Sequence, residues 1–208
     1  MRCLVVVLSL FVFLSGVAFS ASGIAQDTPI LVAEDAPKRA LVPSPENGGD
    51  KLGTAWHSVD FDDSTWHAGK GGVGLETRGD DYRKFISLDI EKEMYNKQTC
   101  VFIRIPFTIE GDVPSLLLRM RYDDGFVAFL NGVEVARALF TGEPKWNSVS
   151  GNRTDVDEAV MPFGDFDISK SLAALKQGKN LLAIHGMQDR PNSSDFLICV
   201  ELLAAARA

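Results

Sequence analysis

Residues 115–139 read SLLLRMRYDDGFVAFLNGVEVARAL. Leu116, Leu118, Met120 and Tyr122 alternate with Leu117, Arg119 and Arg121, the period of a half-buried strand. FVAFL (Phe126–Leu130) is apolar on both faces, and VEVARAL follows it. Asp124-Gly125 and Asn131-Gly132 separate the three runs. Such pairs suit type I′ turns, whose two central residues need φ > 0. The stretch predicts a three-stranded antiparallel meander with Phe126–Leu130 as its central, well-covered strand.

Outward from this stretch the same pattern continues. On the N-terminal side, CVFIRIPFTI (Cys100–Ile109) is rich in β-branched and aromatic residues, and Pro106 marks an edge or a bulge. Before it, AWHSVDFDDSTWHAGKGGVG (residues 55–74) has the Asp, Ser and Gly content of a loop, pinned to a core by Trp56, Phe61 and Trp66. On the C-terminal side, residues 142–161 form a long polar loop containing Trp146. FDISKSLAALKQGKN then predicts one short helix, with Ser169 as N-cap, Leu172 and Leu175 on one face and Gly178 as stop. NLLAIHGMQ and FLICVELLAA are the last two strands, joined by DRPNSSD. Many short strands with one minor helix make an all-β sandwich or barrel. Strands and helices do not alternate, which excludes a doubly wound parallel sheet.

The first 25 residues read as a cleavable signal peptide: Arg2, an apolar run from Leu4 to Leu14, then small residues ending near Ala21 or Ala25. The run is shorter than the roughly 20 residues that span a bilayer. Residues 26–50, with Pro29, Pro37, Pro43 and Pro45, predict a linker with one edge strand at Ile30–Ala33. Residues 51–208 are then the folded domain. The formal net charge of −7 comes with no basic run, which argues against nucleic acid and, once the signal is cleaved, anionic membranes as partners. Of three cysteines, Cys3 leaves with the signal. Cys100 and Cys199 remain, as a disulfide of an oxidising compartment or as two buried thiols in apolar strands.

The order of these elements, from the W…FDDSTW…G loop through YDDGFVAFLNGVEVAR to DIS…L…GKNLLAIHGMQ and SSDFLICVEL, resembles the galactose-binding-like jelly rolls. It is similar to the sugar-binding module of family 2 glycoside hydrolases, and more closely to an uncharacterised jelly-roll domain that decorates large exported bacterial proteins. The resemblance runs from about Lys51 to Leu203. It implies an antiparallel jelly-roll β-sandwich, and a fold of this kind does not fix the ligand. First and last strands of a jelly roll can adjoin, so the resemblance makes Cys100–Cys199 a disulfide candidate if their Cα atoms lie within about 7 Å.

Motifs for catalysis are thin. KGGVGLET (Lys70–Thr77) resembles a phosphate loop, but Leu75 and Glu76 stand where that loop needs Lys and Ser or Thr, so no nucleotide is expected. His57, His67 and His185 are far apart, and His185 reads as a hydrogen-bonded core or edge residue. Asp62, Asp63, Asp123 and Asp124 read as turn formers rather than paired glycosidase carboxylates. Asp155, Asp157 and Glu158, with Asp189 and Asp195, offer hard oxygen ligands, and sandwiches of the type resembled often carry a structural Ca²⁺. Sugar modules stack an exposed ring beside hydrogen-bonding side chains. Trp146 with Asn147, Asn152, Arg153 and Asp155 is the leading candidate of that kind, with Tyr82 and Arg83 second. The expectation is an exported, non-catalytic module that binds carbohydrate or a cell-surface polymer. The alternative is a structural or protein-interaction module whose partner is another exported protein.

Overall fold

The computed structural model describes residues 29–79, 81–152 and 161–204. Its strands are β1 (Ile30–Val32), β2 (Lys38–Leu41), β3 (His67–Gly69), β4 (Gly72–Glu76), β5 (Ile86–Asp89), β6 (Cys100–Ile109), β7 (Leu117–Asp123), β8 (Gly125–Leu130), β9 (Val133–Ala138), β10 (Gly164–Asp167), β11 (Gly178–Met187) and β12 (Asp195–Leu203). Among the described residues they form two six-stranded sheets. The first runs β10-β7-β12-β4-β5, with β1 against the far end of β12, and the second runs β3-β2-β6-β11-β8-β9. Neighbours are antiparallel except β4 and β5, which are parallel. The chain is an all-β sandwich.

Strand alternation builds the core. Val101, Ile103 and Ile105 of β6, Leu182 and Ile184 of β11, and Phe126, Ala128 and Leu130 of β8 face Leu118, Met120, Phe196, Ile198 and Val200 of the first sheet. The opposite face of the second sheet is also apolar. Cys100, Phe102, Val127, Phe129, Leu181, Ala183 and Met187 lie there beneath Trp56 and Trp66. Phe126–Leu130 is therefore covered on both sides, as its composition predicts.

The predicted meander is half right. β8 and β9 form a hairpin that closes Leu130 on Val133, with Asn131 at φ 50° and Gly132 at φ 86°. β7 does not pair with β8. It lies between β10 and β12 in the first sheet, while β8 lies between β11 and β9 in the second. Asp124-Gly125 is thus a crossover between sheets. A Cβ on Gly125 would meet Ser150 Cβ at 2.7 Å and the Ala138 carbonyl oxygen at 2.9 Å, so this glycine permits a close approach.

Three other expectations change. The described part of residues 26–50 belongs to the sandwich. Ile30–Val32 is an edge strand as predicted, and Lys38–Leu41, too short to show a period, is an inner strand between β3 and β6. KGGVGLET contains strand β4, where a Cβ on Gly72 or Gly74 would strike the carbonyl oxygens of Phe85 (2.4 Å) or Phe196 (2.2 Å). Those glycines serve close strand packing. The short helix is a 3-10 segment, Ser169–Ala174, whose first N–H is taken by Asp167 Oδ1 at 2.9 Å, while Ser169 Oγ receives the Leu116 N–H. A single α-helical turn at Glu91–Met94 carries no sequence signal that stands out.

The disulfide is also corrected. Cys100 and Cys199 are both free and buried. In β6 Val101, next to Cys100, points inward, and in β12 Ile198 and Val200, on either side of Cys199, do, so the two thiols point out of opposite faces of the sandwich. Two packed sheets about 10 Å apart then separate them.

Candidate functional site

The outer face of the second sheet carries a cleft of about 840 Å³. Its construction begins at Arg104 in β6, which is 3% exposed. The guanidinium pairs with Asp63 (Nε to Oδ2, 2.7 Å) and donates to the carbonyls of Trp56, Ser58 (2.8 Å) and Phe61 (3.3 Å). One buried cation thus shapes the 56–63 loop, with Asp63 as its counter-ion; Asp62 is the turn former, accepting the Ser64 N–H. Trp56 then stacks on Phe102 (centroids 4.3 Å, planes 11° apart) and His57 on Phe129 (3.9 Å, 26°).

These rings and His185 of β11 line the cleft. His185 stands edge-on to Phe102, and its Nε2 is buried with no hydrogen-bond partner. It is a core histidine, as expected, without the expected bond at that nitrogen. Burial holds His185 down at about 3 and His57 at about 4, helped by the neighbouring His57 and Arg104 respectively. Both imidazoles are neutral at physiological pH.

Gly49, Asp50, Gly53, Thr54 and residues 56–58 line one part of the cleft, and Gly142–Trp146 with Glu134 and Arg137 line another. Arg137 is forked onto Glu134 at 2.6 Å through Nε and Nη2, and its Nη1 donates to the Gly142 carbonyl at 2.9 Å. The Lys145–Ser148 turn is pinned from the start of β6 and the residue before it: Thr99 Oγ1 donates to the Ser148 carbonyl at 2.7 Å and the Cys100 thiol to the same oxygen at 3.1 Å. Burial pushes that thiol up to about 12, so it serves as a neutral donor.

Trp146 sits in this turn, half-buried against the outer apolar cluster, and lines the cleft. Asn147 and Asn152 are exposed but do not line it, and Asn152 Nδ2 contacts Asp189 Oδ2 at 3.4 Å. Arg153, Asp155, Asp157 and Glu158 lie outside the described residues. Tyr82 is not an exposed ring: it is 2% exposed and packs with Met161, Leu197 and Cys199 on the outer face of the first sheet. Arg83 is exposed and donates to the Glu76 carbonyl at 2.8 Å. Of the calcium candidates, Asp189 accepts from Arg190 at 2.6 Å, and Asp195 from Ser193 and Ser194 at 3.4 and 3.2 Å. Among the described residues, no group of three or more His, Cys, Asp or Glu is placed to hold a metal ion. Asp123 and Asp124 are buried at the crossover; burial, with the Asp124 charge, raises the Asp123 carboxyl well above the usual range.

The sequence reading missed most of the cleft, because its walls come from segments that are distant in the chain. One signal was present. Phe102, Val127, Phe129 and Ala183 occupy the face that a two-sheet sandwich leaves to water, which calls for a further layer above it.

Fold and site define an all-β sandwich with an aromatic-floored cleft on one outer face. Comparison with protein families and with curated proteins gives no match. Among solved structures, the chain is similar to a Bacteroides uniformis β-glucuronidase 2 covalently bound to cyclophellitol-6-carboxylate aziridine, at 17% identity and TM-score 0.48 over 83% of this chain and 18% of that one. It is similar also to an uncultured Clostridium sp. β-glucuronidase, at 15% identity and TM-score 0.43 over 85% and 24%. A Ruminococcus gnavus β-glucuronidase in complex with uronic isofagomine gives 14% identity and TM-score 0.42 over 77% and 21%. The chain spans about a fifth of the length of these enzymes.

Proposed function

We propose that this chain is a non-catalytic binding module for carbohydrate or a cell-surface polymer, of the galactose-binding-like jelly-roll type, and that its ligand lies in the cleft beside Trp146. The observation that carries the reading is the position of Trp146. Its half-buried ring lines a walled cleft that also holds Asp50, Thr54, Ser58 and Lys145. A ring that offers a hydrophobic face, with hydroxyls and charges around it, matches the alternating apolar and hydroxylated faces of a sugar. The test is calorimetry of the parent and Trp146→Ala against polymers selected on a glycan array. Loss of a stacked ring at a binding hot spot costs about 2–4 kcal/mol, so binding is expected to weaken at least 30-fold. Undiminished affinity in a folded variant removes the cleft from the reading.

Export belongs to the same proposal. Residues 1–25 have the charge, apolar core and small-residue tail of a cleavable signal. Intact mass of exported material is expected to begin near Gln26, and retention of residues 1–20 contradicts it.

A further inference from the structure

We propose that the cleft takes an uncharged, hydroxyl-rich glycan segment and rejects uronic or sulfated ones. This rests on the carbohydrate reading above and adds the ligand's chemical class.

The first ground is the state of the cations. Recognition of a carboxylate or sulfate would call on a guanidinium fork. Arg137 has already given its fork to Glu134, with both bonds at 2.6 Å, and a further N–H to the Gly142 carbonyl. Both histidines are held neutral by burial. The second ground is the balance of charge. Three carboxylates (Asp50, Glu134, Glu143) line the cleft against two cations (Arg137, Lys145), and the Glu134–Arg137 pair cancels internally. An anionic ligand would be drawn out of water towards Asp50 and Glu143 with Lys145 alone, of the lining residues, in compensation.

The third ground is what the lining lacks. Asp50 Oδ1 and His185 Nε2 are buried polar atoms without a partner, and His185 is 3% exposed. A carboxylate oxygen wants donors, and a neutral imidazole nitrogen takes a donor or an acceptor according to tautomer. Hydroxyl groups supply both roles at no charge, whereas an anionic group supplies acceptors alone.

The experiment is affinity electrophoresis of the full chain through gels containing neutral polymers (laminarin, galactomannan, xylan) or acidic ones (polygalacturonate, chondroitin sulfate), with Trp146→Ala beside the parent. Retardation by a neutral polymer and by none of the acidic ones, lost in Trp146→Ala, is the expected result. Retardation by an acidic polymer that Trp146→Ala abolishes overturns the inference and leaves the carbohydrate reading standing. Retardation by none of the polymers rejects the carbohydrate reading itself. A second variant, Glu134→Gln, releases the Arg137 fork. It is expected to raise retention by polygalacturonate about tenfold, the scale of one charge-assisted pair. No gain in folded Glu134→Gln overturns the argument from the paired guanidinium.

Discussion

Asn131 both makes the turn and ties it down. At φ 50° it occupies a conformation that asparagine tolerates better than most residues. Its Nδ2 donates to the Ala174 carbonyl (2.8 Å) and to Asn180 Oδ1 (2.7 Å), and its Oδ1 accepts the Leu181 N–H at 2.8 Å. Asn180, fully buried, in turn donates to the carbonyls of Lys176 and Gly178. The Asn-Gly of the hairpin and the Gly-Lys-Asn that opens β11 are one hydrogen-bonded unit. Asn131→Ala is therefore expected to cost about 2–4 kcal/mol in denaturant unfolding, more than a turn residue alone would, because it strands buried partners. Gly132→Val, strained at its positive φ, is expected to cost about 1–3 kcal/mol. Unchanged midpoints in both would contradict this account of the turn. Arg104→Met removes the cation that holds the 56–63 loop. Its expected cost is about 3 kcal/mol, at the lower end for a buried pair because Asp63 keeps partial access to water. A loss below 1 kcal/mol would show that the aromatic packing holds the loop by itself.

At the scale of elements, alternation along β6 and β12 decides the cysteines. Each strand buries one set of side chains between the sheets and sends the other outward, and the two thiols leave by opposite faces. Thiol titration of denatured, unreduced protein beginning after residue 25 is expected to find two thiols per chain, and zero would contradict the strand assignments. The same alternation explains what was legible in the sequence. The clean alternation of β7, the continuous apolar run of β8 and the Asn-Gly hairpin could be read directly. Asp124-Gly125 carries the same local chemistry as Asn131-Gly132, yet one is a crossover and the other a turn; pairing with β11 and β12, far along the chain, makes the difference. β2 escaped notice because four residues between prolines cannot display a period. Trp56, Trp66 and Trp146 all lie in polar stretches, and only packing separates the two buried rings from the half-buried Trp146. The same holds for Tyr82, since a residue in a polar stretch can still be drawn under a sheet, here against Leu197 and Cys199.

The whole molecule carries opposing responses to pH. His57 and His185 have folded values near 4 and 3 against an ordinary 6.5, so the stability tied to their neutral forms is present above pH 6.5 and is lost as the pH falls towards those values. Asp123 is shifted the other way. Its contribution is full below its ordinary 3.8 and is lost as the pH rises above that range, where the buried pair with Asp124 must share charge. Asp123→Asn is expected to raise the unfolding midpoint at pH 8, with the advantage shrinking towards pH 4. A variant no more stable than its parent at pH 8 would mean that the carboxyl pair is not under this strain. The three tryptophans report on the cleft from different positions: Trp56 in its floor, Trp66 beside it in the outer apolar cluster, Trp146 in the turn that lines the opening. The direct measurement is a ¹H–¹⁵N correlation spectrum of the three indole N–H groups during titration with a neutral glycan that the protein binds. The Trp146 resonance is expected to move most, together with backbone amides of residues 49–58 and 142–146. Movement confined to the face around Arg83, with Trp146 unchanged, would contradict the cleft as the binding site.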